Sequence, residues 1–196
     1  MLVYDITKEL LSAPTAKGQP ETDLEWTDRI DCGETHNISK LKISSHAGTH
    51  LVTPKCYFDD GKTITDYDAA DFYQPCTVVT IKGVLTGEDM ENLLPFCKKQ
   101  VLFKGDGEAV LSRSAAFVLA DYEITLVGTD GVTIAFSAEG DQVDKELAIN
   151  NIAVLLNIDL QNIEDGNYTL CALPLKAEGA EASPVRAVLL AQEKGY

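Results

Sequence analysis

The sequence predicts one α/β domain, residues 1–196, built on a mixed central sheet, and three observations carry that prediction. Short apolar runs rich in β-branched residues recur along the whole chain, as strands do. Segments with helix-capping signals lie between several of them, and strands alternating with helices define the α/β class. The chain has 196 residues with 45% hydrophobic content, which suits one domain with a sizeable core.

The expected strands are 2–6, 40–44, 77–81, 101–104, 124–127, 152–156, 169–173 and 185–191. Lys40-Leu41-Lys42-Ile43-Ser44 alternates polar and apolar residues, the pattern of a half-buried strand. One helix is expected to start at Thr86, with Asp89 completing a capping box, and to stop before Pro95. A second starts near Ser112 and runs through Ala115 to Ala120; a third spans 143–151. Residues 11–38, with Pro14, Gly18, Pro20 and Gly33, read as a polar loop carrying Trp26, a residue suited to capping a pocket or packing on a partner subunit.

Acidic residues outnumber basic ones 31 to 16, for a net charge of −15. That balance argues for solubility and against nucleic acid or anionic membranes as partners. No run of about 18 apolar residues suggests a membrane span, and Met1-Leu2-Val3-Tyr4-Asp5 does not resemble a signal peptide. The five cysteines are odd in number and form no Cys-x-x-Cys pair, so a reducing cytoplasm is the expected setting. Cys76 and Cys171 sit in apolar runs and are expected in the core.

The most informative stretch is Ser44-Ser45-His46-Ala47-Gly48-Thr49-His50-Leu51-Val52-Thr53-Pro54-Lys55-Cys56, which holds two of the three histidines. His46 and His50 flank a glycine that lets the backbone turn, a common start for a zinc or manganese site. Two histidines are not a complete catalytic ligand set, which needs about three protein ligands and an open position.

The segment resembles the signature of the cyclase family, the group that includes bacterial kynurenine formamidase: His-x-Gly-Thr-His-x-Asp-x-Pro-x-His. His46, Gly48, Thr49, His50 and Pro54 match. Val52 stands where the family has its metal-bridging Asp, and Cys56 where it has its proton-shuttling His. The resemblance extends over Asp5-Ile6-Thr7, Asp60-Gly61-Lys62-Thr63-Ile64, Val101-Leu102-Phe103-Lys104, Leu126-Val127-Gly128-Thr129-Asp130 and the closing Ser183-Pro184-Val185-Arg186-Ala187. Ala16-Lys17-Gly18-Gln19-Pro20 replaces a Pro-Gly-Asp-Pro-like loop near the family's site. Aligning the family's remaining ligands, a Glu and a His, puts Asn157 on the Glu and Lys145 on the His, or Glu146 if the register slips by one.

The resemblance implies the swivelling β/β/α fold, a homodimer or higher homo-oligomer, and metal-dependent hydrolysis of small amides or lactones, of the arylformamidase type acting on C–N bonds. The substituted residues point elsewhere. A lysine ammonium ~4 Å from a divalent ion is repelled by roughly 8 kcal/mol at an effective dielectric of 20. Three readings follow. One is a hydrolase-family protein with little or no family activity, keeping a pocket for a small-molecule ligand and no metal. Another is an active hydrolase with a single zinc or manganese on His46, His50 and Cys56, with Asp159 and Glu146 as further candidates for a rebuilt site. The third is a structural oligomer partner of an active paralogue. Lys145 is expected to lie beside Asn157, its ammonium replacing part of the lost metal charge. Cys56 as a nucleophile with His50 as base lacks an evident oxyanion hole. His36, Asp59-Asp60-Gly61 and Asp130-Gly131 read as surface and turn residues, and Arg186 as an ion-pairing residue of the fold.

Overall fold

The structure, a computed structural model, describes residues 1–14 and 18–191; Ala16 and Lys17 of the expected site loop lie outside them. In chain order the strands are β1 (Leu2–Asp5), β2 (Asp23–Asp28), β3 (Ile38–Lys42), β4 (His50–Val52), β5 (Tyr73–Thr80), β6 (Gly83–Leu85), β7 (Gln100–Lys104), β8 (Ala109–Leu111), β9 (Leu126–Thr129), β10 (Ala153–Leu156), β11 (Gly166–Cys171), β12 (Ala182–Pro184) and β13 (Val188–Ala191). The helices are α1 (Gly87–Leu93), α2 (Arg113–Asp121) and α3 (Gln142–Ile149). This is the expected α/β class: nine strands form one mixed sheet in the order β1-β13-β11-β5-β7-β9-β10-β4-β12. β5, β7, β9 and β10 run parallel at its centre; the flanking pairs are antiparallel.

Both faces of the parallel strands are buried, and the two-residue strand period divides their side chains between two cores. Val101, Phe103, Val127 and Val154 face a core completed by Met90, Ala115, Leu119, Val143 and Leu147 of the helices. Leu102, Leu126 and Leu155 face the other, with Ile6, Leu51, Phe72 and Leu170. Gly128 is required where β9 crosses this packing: a Cβ there would stand 2.5 Å from Leu102 Cδ2.

The caps behave as their chemistry dictates. Thr86 accepts from the Asp89 amide at 3.3 Å while the Asp89 carboxylate accepts from the Thr86 amide at 2.7 Å. Ser112 caps α2 by accepting from the Ala115 amide. α3 runs one residue earlier at its start than expected and ends two earlier.

The segment after β1 curls across the sheet. The Asp159 amide donates to Ile6 O at 2.8 Å, Thr7 bridges Ile158, and the Lys8 amide donates to Thr49 Oγ1 at 3.0 Å. The chain start is thereby brought to the C-terminal ends of the parallel strands, where α/β sheets place their ligands.

Two expectations are corrected. Residues 23–42 are not a loop followed by a half-buried strand. They contain a hairpin, β2 against β3, paired to nothing else and exposed along almost its whole length, with Trp26 on β2. Leu41 belongs to β3 of this hairpin and Ile43 follows its end; both line a concavity with Thr7, Leu10 and Val185 instead of forming a strand of the main sheet. Cys171, at the end of β11, is only partly buried, while Cys76 is fully buried.

Candidate functional site

Gly48 adopts φ +59°, the left-handed turn that returns the chain toward β4, and its α-carbon faces Leu10 so closely that a Cβ would lie 3.0 Å from Leu10 Cδ1. The turn places His50 at the first position of β4, opposite Leu156 of β10 and Pro184 of β12. Its Nδ1 lies 2.9 Å from Gly48 O, a pure acceptor, so Nδ1 carries the proton and Nε2 is left as an acceptor in the neutral ring. Burial pushes His50 down to about 4, with His46 adding to the depression. The two imidazoles meet edge to face, centroids 5.2 Å apart. His46 Nε2 lies 3.3 Å from Glu181 Oε1, which also accepts from Ser45 Oγ at 2.6 Å. Burial would raise the Glu181 carboxyl; Ser45 and His46 outweigh it and hold it below the usual range.

His46, His50, Val52, Cys56, Asp144 and Asn157 share one cavity of about 280 Å³, with Tyr57 and Thr133 in its wall. Val52 contributes a methyl surface where the resemblance would place a bridging carboxylate. Burial raises Asp144 to about 6, offset in part by the neighbouring Tyr57 hydroxyl. Burial, Glu181 and Asp144 all push the Cys56 thiol upward, the reverse of what a nucleophilic thiolate needs. Among the described residues Cys56 makes no hydrogen bond to His50.

Asn157 follows β10 in the left-handed region, φ +60°. Its amide donates to Gly131 O at 2.8 Å and its carbonyl accepts from Thr49 Oγ1 at 2.7 Å. Its side-chain Nδ2 donates to Pro14 O at 2.9 Å and to Gly48 O at 3.2 Å. Its Oδ1 accepts from Lys8 Nζ at 2.8 Å, and the same ammonium donates to Asp130 O at 2.7 Å. Burial lowers the Lys8 pKa, opposed by the Asp130 and Asp159 carboxylates. Asp130 is itself fixed by the amides of Gly105, Asp106 and Gly107, at 3.0, 2.8 and 2.9 Å.

Lys145 is not beside Asn157. It pairs with Asp141 one turn back on the solvent side of α3, and its neighbour Asp144 faces the cavity. The helix rotates about 100° per residue, so a one-residue register decides which side chain enters. The internal ammonium expected there comes from Lys8 instead. Glu146 pairs with Arg113 at 3.4 Å, and Asp159 Oδ1 accepts from the Gln161 amide at 3.1 Å; neither lines the cavity. Arg186 pairs with Asp5, His36 accompanies Thr35 on an exposed loop, and Asp59-Asp60-Gly61 forms a turn against Pro54. Among the described residues, no three His, Cys, Asp or Glu side chains are grouped so as to hold one metal ion. No helix among them is long and apolar enough to cross a membrane.

Lys8, Tyr57, Asp144 and Glu181 belong to no motif of the sequence. Their only signal is position: Lys8 follows Asp5-Ile6-Thr7, Tyr57 follows Cys56, Asp144 precedes Lys145, and Glu181 stands two residues before Ser183.

Known proteins resemble this chain in sequence and in architecture. The chain is 31% identical over 204 residues to kynurenine formamidase from Delftia acidovorans (strain DSM 14801 / SPH-1), covering 96% of this chain and 97% of that one. It is 32% identical over 208 residues to kynurenine formamidase from Paracidovorax citrulli (strain AAC00-1), covering 96% of each. A solved structure described as a potential metal-dependent hydrolase with cyclase activity superposes with a TM-score of 0.82 at 26% identity, covering 98% of both chains. Residues 4–135, from β1 past the histidine segment and through β9, match the family described as putative cyclase, and this chain belongs to that cyclase family.

Proposed function

We propose that this cyclase-family chain, similar to kynurenine formamidase-type metal-dependent hydrolases, has lost the two-metal hydrolytic reaction and keeps the cavity as a small-molecule pocket. One observation carries the reading: the Asn157 side chain, at the position the resemblance gives to a carboxylate ligand, is fully engaged by protein groups, with the Lys8 ammonium on its oxygen at 2.8 Å. A fixed cation there satisfies the oxygen a metal would need and repels a second cation. Val52 and the outward-facing Lys145 support the same reading, because neither can supply an oxygen or nitrogen ligand to the cavity. On this reading the side chains present do not fit a pair of divalent ions. His50 Nε2 and the Asp144 carboxyl remain to orient a ligand by hydrogen bonds.

The test is elemental analysis of protein purified without chelator, paired with turnover of N-formylkynurenine in the presence and absence of added zinc or manganese. The expected result is no stoichiometric metal pair and negligible turnover. Two tightly held ions per chain, or metal-dependent turnover abolished by His46→Ala or His50→Ala, would overturn it.

The protein is further proposed to act as a homodimer. The exposed β2–β3 hairpin supports this. An isolated two-stranded ribbon is marginal in water, and this one carries Leu24, Trp26, Ile38 and Leu41 on its surface.

A further inference from the structure

A second concavity, of about 780 Å³, lies at the opposite end of the parallel strands, where Gln100 opens β7, Leu126 opens β9 and Ala153 opens β10. Its volume falls in the range of small-molecule pockets. Three side-chain polar atoms among the described residues are buried without a partner, and two of them, Tyr67 Oη and Gln100 Oε1, belong to residues lining this groove. Buried polar groups are nearly always satisfied, so two orphans at one site call for a cause.

Gln100 is 1% exposed. Its Nε2 donates to Asp71 O at 2.7 Å; that carbonyl accepts only, so the amide cannot be flipped and Oε1 is left as the open acceptor. Tyr67 packs on Phe72 with ring centroids 5.3 Å apart, and Lys62 Nζ lies 5.2 Å from the Tyr67 centroid. Burial, with Asp71 and Asp66, pushes the Tyr67 phenol up to about 12, so it remains a donor at neutral pH.

The groove is also the wrong charge for this chain. Lys62, Lys98 and Lys99 line it against Asp71 and Glu123, whereas the whole sequence has a net charge of −15. Lys99 is taken up by Tyr122 O and Glu123. The Lys62 and Lys98 ammonium groups form no ion pair among the described residues.

We propose that this groove is a binding site for a small organic anion with a flat apolar body and an O–H or N–H donor, the anionic group held by the lysines and the donor completing Gln100 Oε1. Both orphan atoms have essentially no accessible surface, so neighbouring side chains must shift for a ligand to reach Gln100 Oε1. The site is separate from the histidine cavity and does not depend on the reading given to it.

The test is calorimetric titration of the full chain with 4-hydroxybenzoate, benzoate and 4-hydroxybenzyl alcohol. The expected order is 4-hydroxybenzoate tightest, with benzoate about tenfold weaker for want of the hydrogen bond to a buried acceptor. The alcohol should be weaker still and insensitive to salt, while the two anions weaken as ionic strength rises. Gln100→Leu should erase the difference between 4-hydroxybenzoate and benzoate. A Lys62→Glu/Lys98→Glu variant, altered only at exposed positions, should lose both anions while keeping the wild-type melting temperature. No heat from any probe at millimolar concentration would overturn the proposal. So would binding unchanged in both variants, or a crystal structure with 4-hydroxybenzoate soaked in whose Tyr67 Oη and Gln100 Oε1 are bridged by an ordered water instead.

Discussion

The Lys8 ammonium sits 2.8 Å from Asn157 Oδ1, joining the turn after β1 to the turn after β10 across 149 residues of sequence. Gly48 O then accepts from both Asn157 Nδ2 and His50 Nδ1, so one hydrogen-bonded chain runs from Lys8 through Asn157 to the histidine. Every link is a neutral or cationic donor meeting an oxygen, and none requires an ion from solution. The arrangement fixes His50 in one tautomer and leaves its Nε2 toward the cavity.

Lys8→Met tests the first link. It removes a partly buried cation and leaves Asn157 Oδ1 and Asp130 O without their donor. A loss of about 2–3 kcal/mol is expected in chemical denaturation, because the stranded acceptors cost more than the bond was worth. A loss below about 0.5 kcal/mol would place the ammonium in solvent, since an exposed contact of this kind contributes little.

Much of this fold is legible in the chain because local rules and tertiary demands agree there. Thr86 with Asp89, and Ser112 before its alanine-rich helix, cap real helices; the apolar runs at 101–104 and 152–156 are central strands. Short strands such as β4 and β12 carry no periodicity of their own; β4 exists by pairing with β10 and β12 by pairing with β4. The site was half legible. His46, His50, Cys56 and Asn157 do converge on one cavity. Lys8 carries no local signal because its partners are 122 and 149 residues away, and Asp144 carries none because helix phase, not residue type, decides which of two adjacent side chains enters.

Gly61 gives a prediction from sterics alone. A Cβ at this position would stand 2.5 Å from Pro54 C and 2.6 Å from Pro54 O, both backbone atoms. Gly61→Ala must push the 59–62 turn off the segment that carries Cys56 and Tyr57. Destabilisation of about 1–3 kcal/mol is expected, the usual cost of overpacking. An unchanged melting temperature by calorimetry would show that the turn does not pack there.

The hairpin supplies a prediction about assembly. Trp26 is 52% exposed on β2, where it pairs with Ser39 of β3, and two residues before it Leu24 pairs with Leu41. If a second copy covers this ribbon, light scattering at micromolar concentration returns twice the chain mass. Trp26→Glu then shifts the protein toward monomer by burying an unpaired charge in the interface. A monomeric wild type, or a dimer indifferent to Trp26→Glu, would place the contact elsewhere.

His50 and Asp144 line the same cavity yet respond to pH in opposite senses. His50 titrates near 6.5 when unfolded and about 4 when folded, so its contribution is complete above 6.5 and is lost as pH falls toward 4, where only the unfolded chain takes the proton. Asp144 moves from 3.8 to about 6, so its contribution is complete below 3.8 and is lost as pH rises through 6, where the folded chain must ionise a buried carboxyl. Between about 4 and 6 the two slopes oppose, and the wild type should show a shallow dependence there. Asp144→Asn removes one of them. The variant should exceed wild type in stability at pH 7, by on the order of 1–3 kcal/mol for a shift of this size, with the gap closing by pH 4. Its own stability should fall more steeply than wild type on acidification, because the His50 slope is left unopposed. Urea denaturation of both proteins across pH 4–8 measures the gap directly. A gap of the same size at both ends would mean that Asp144 does not titrate as a buried acid, and that the cavity is wetter than its lining implies.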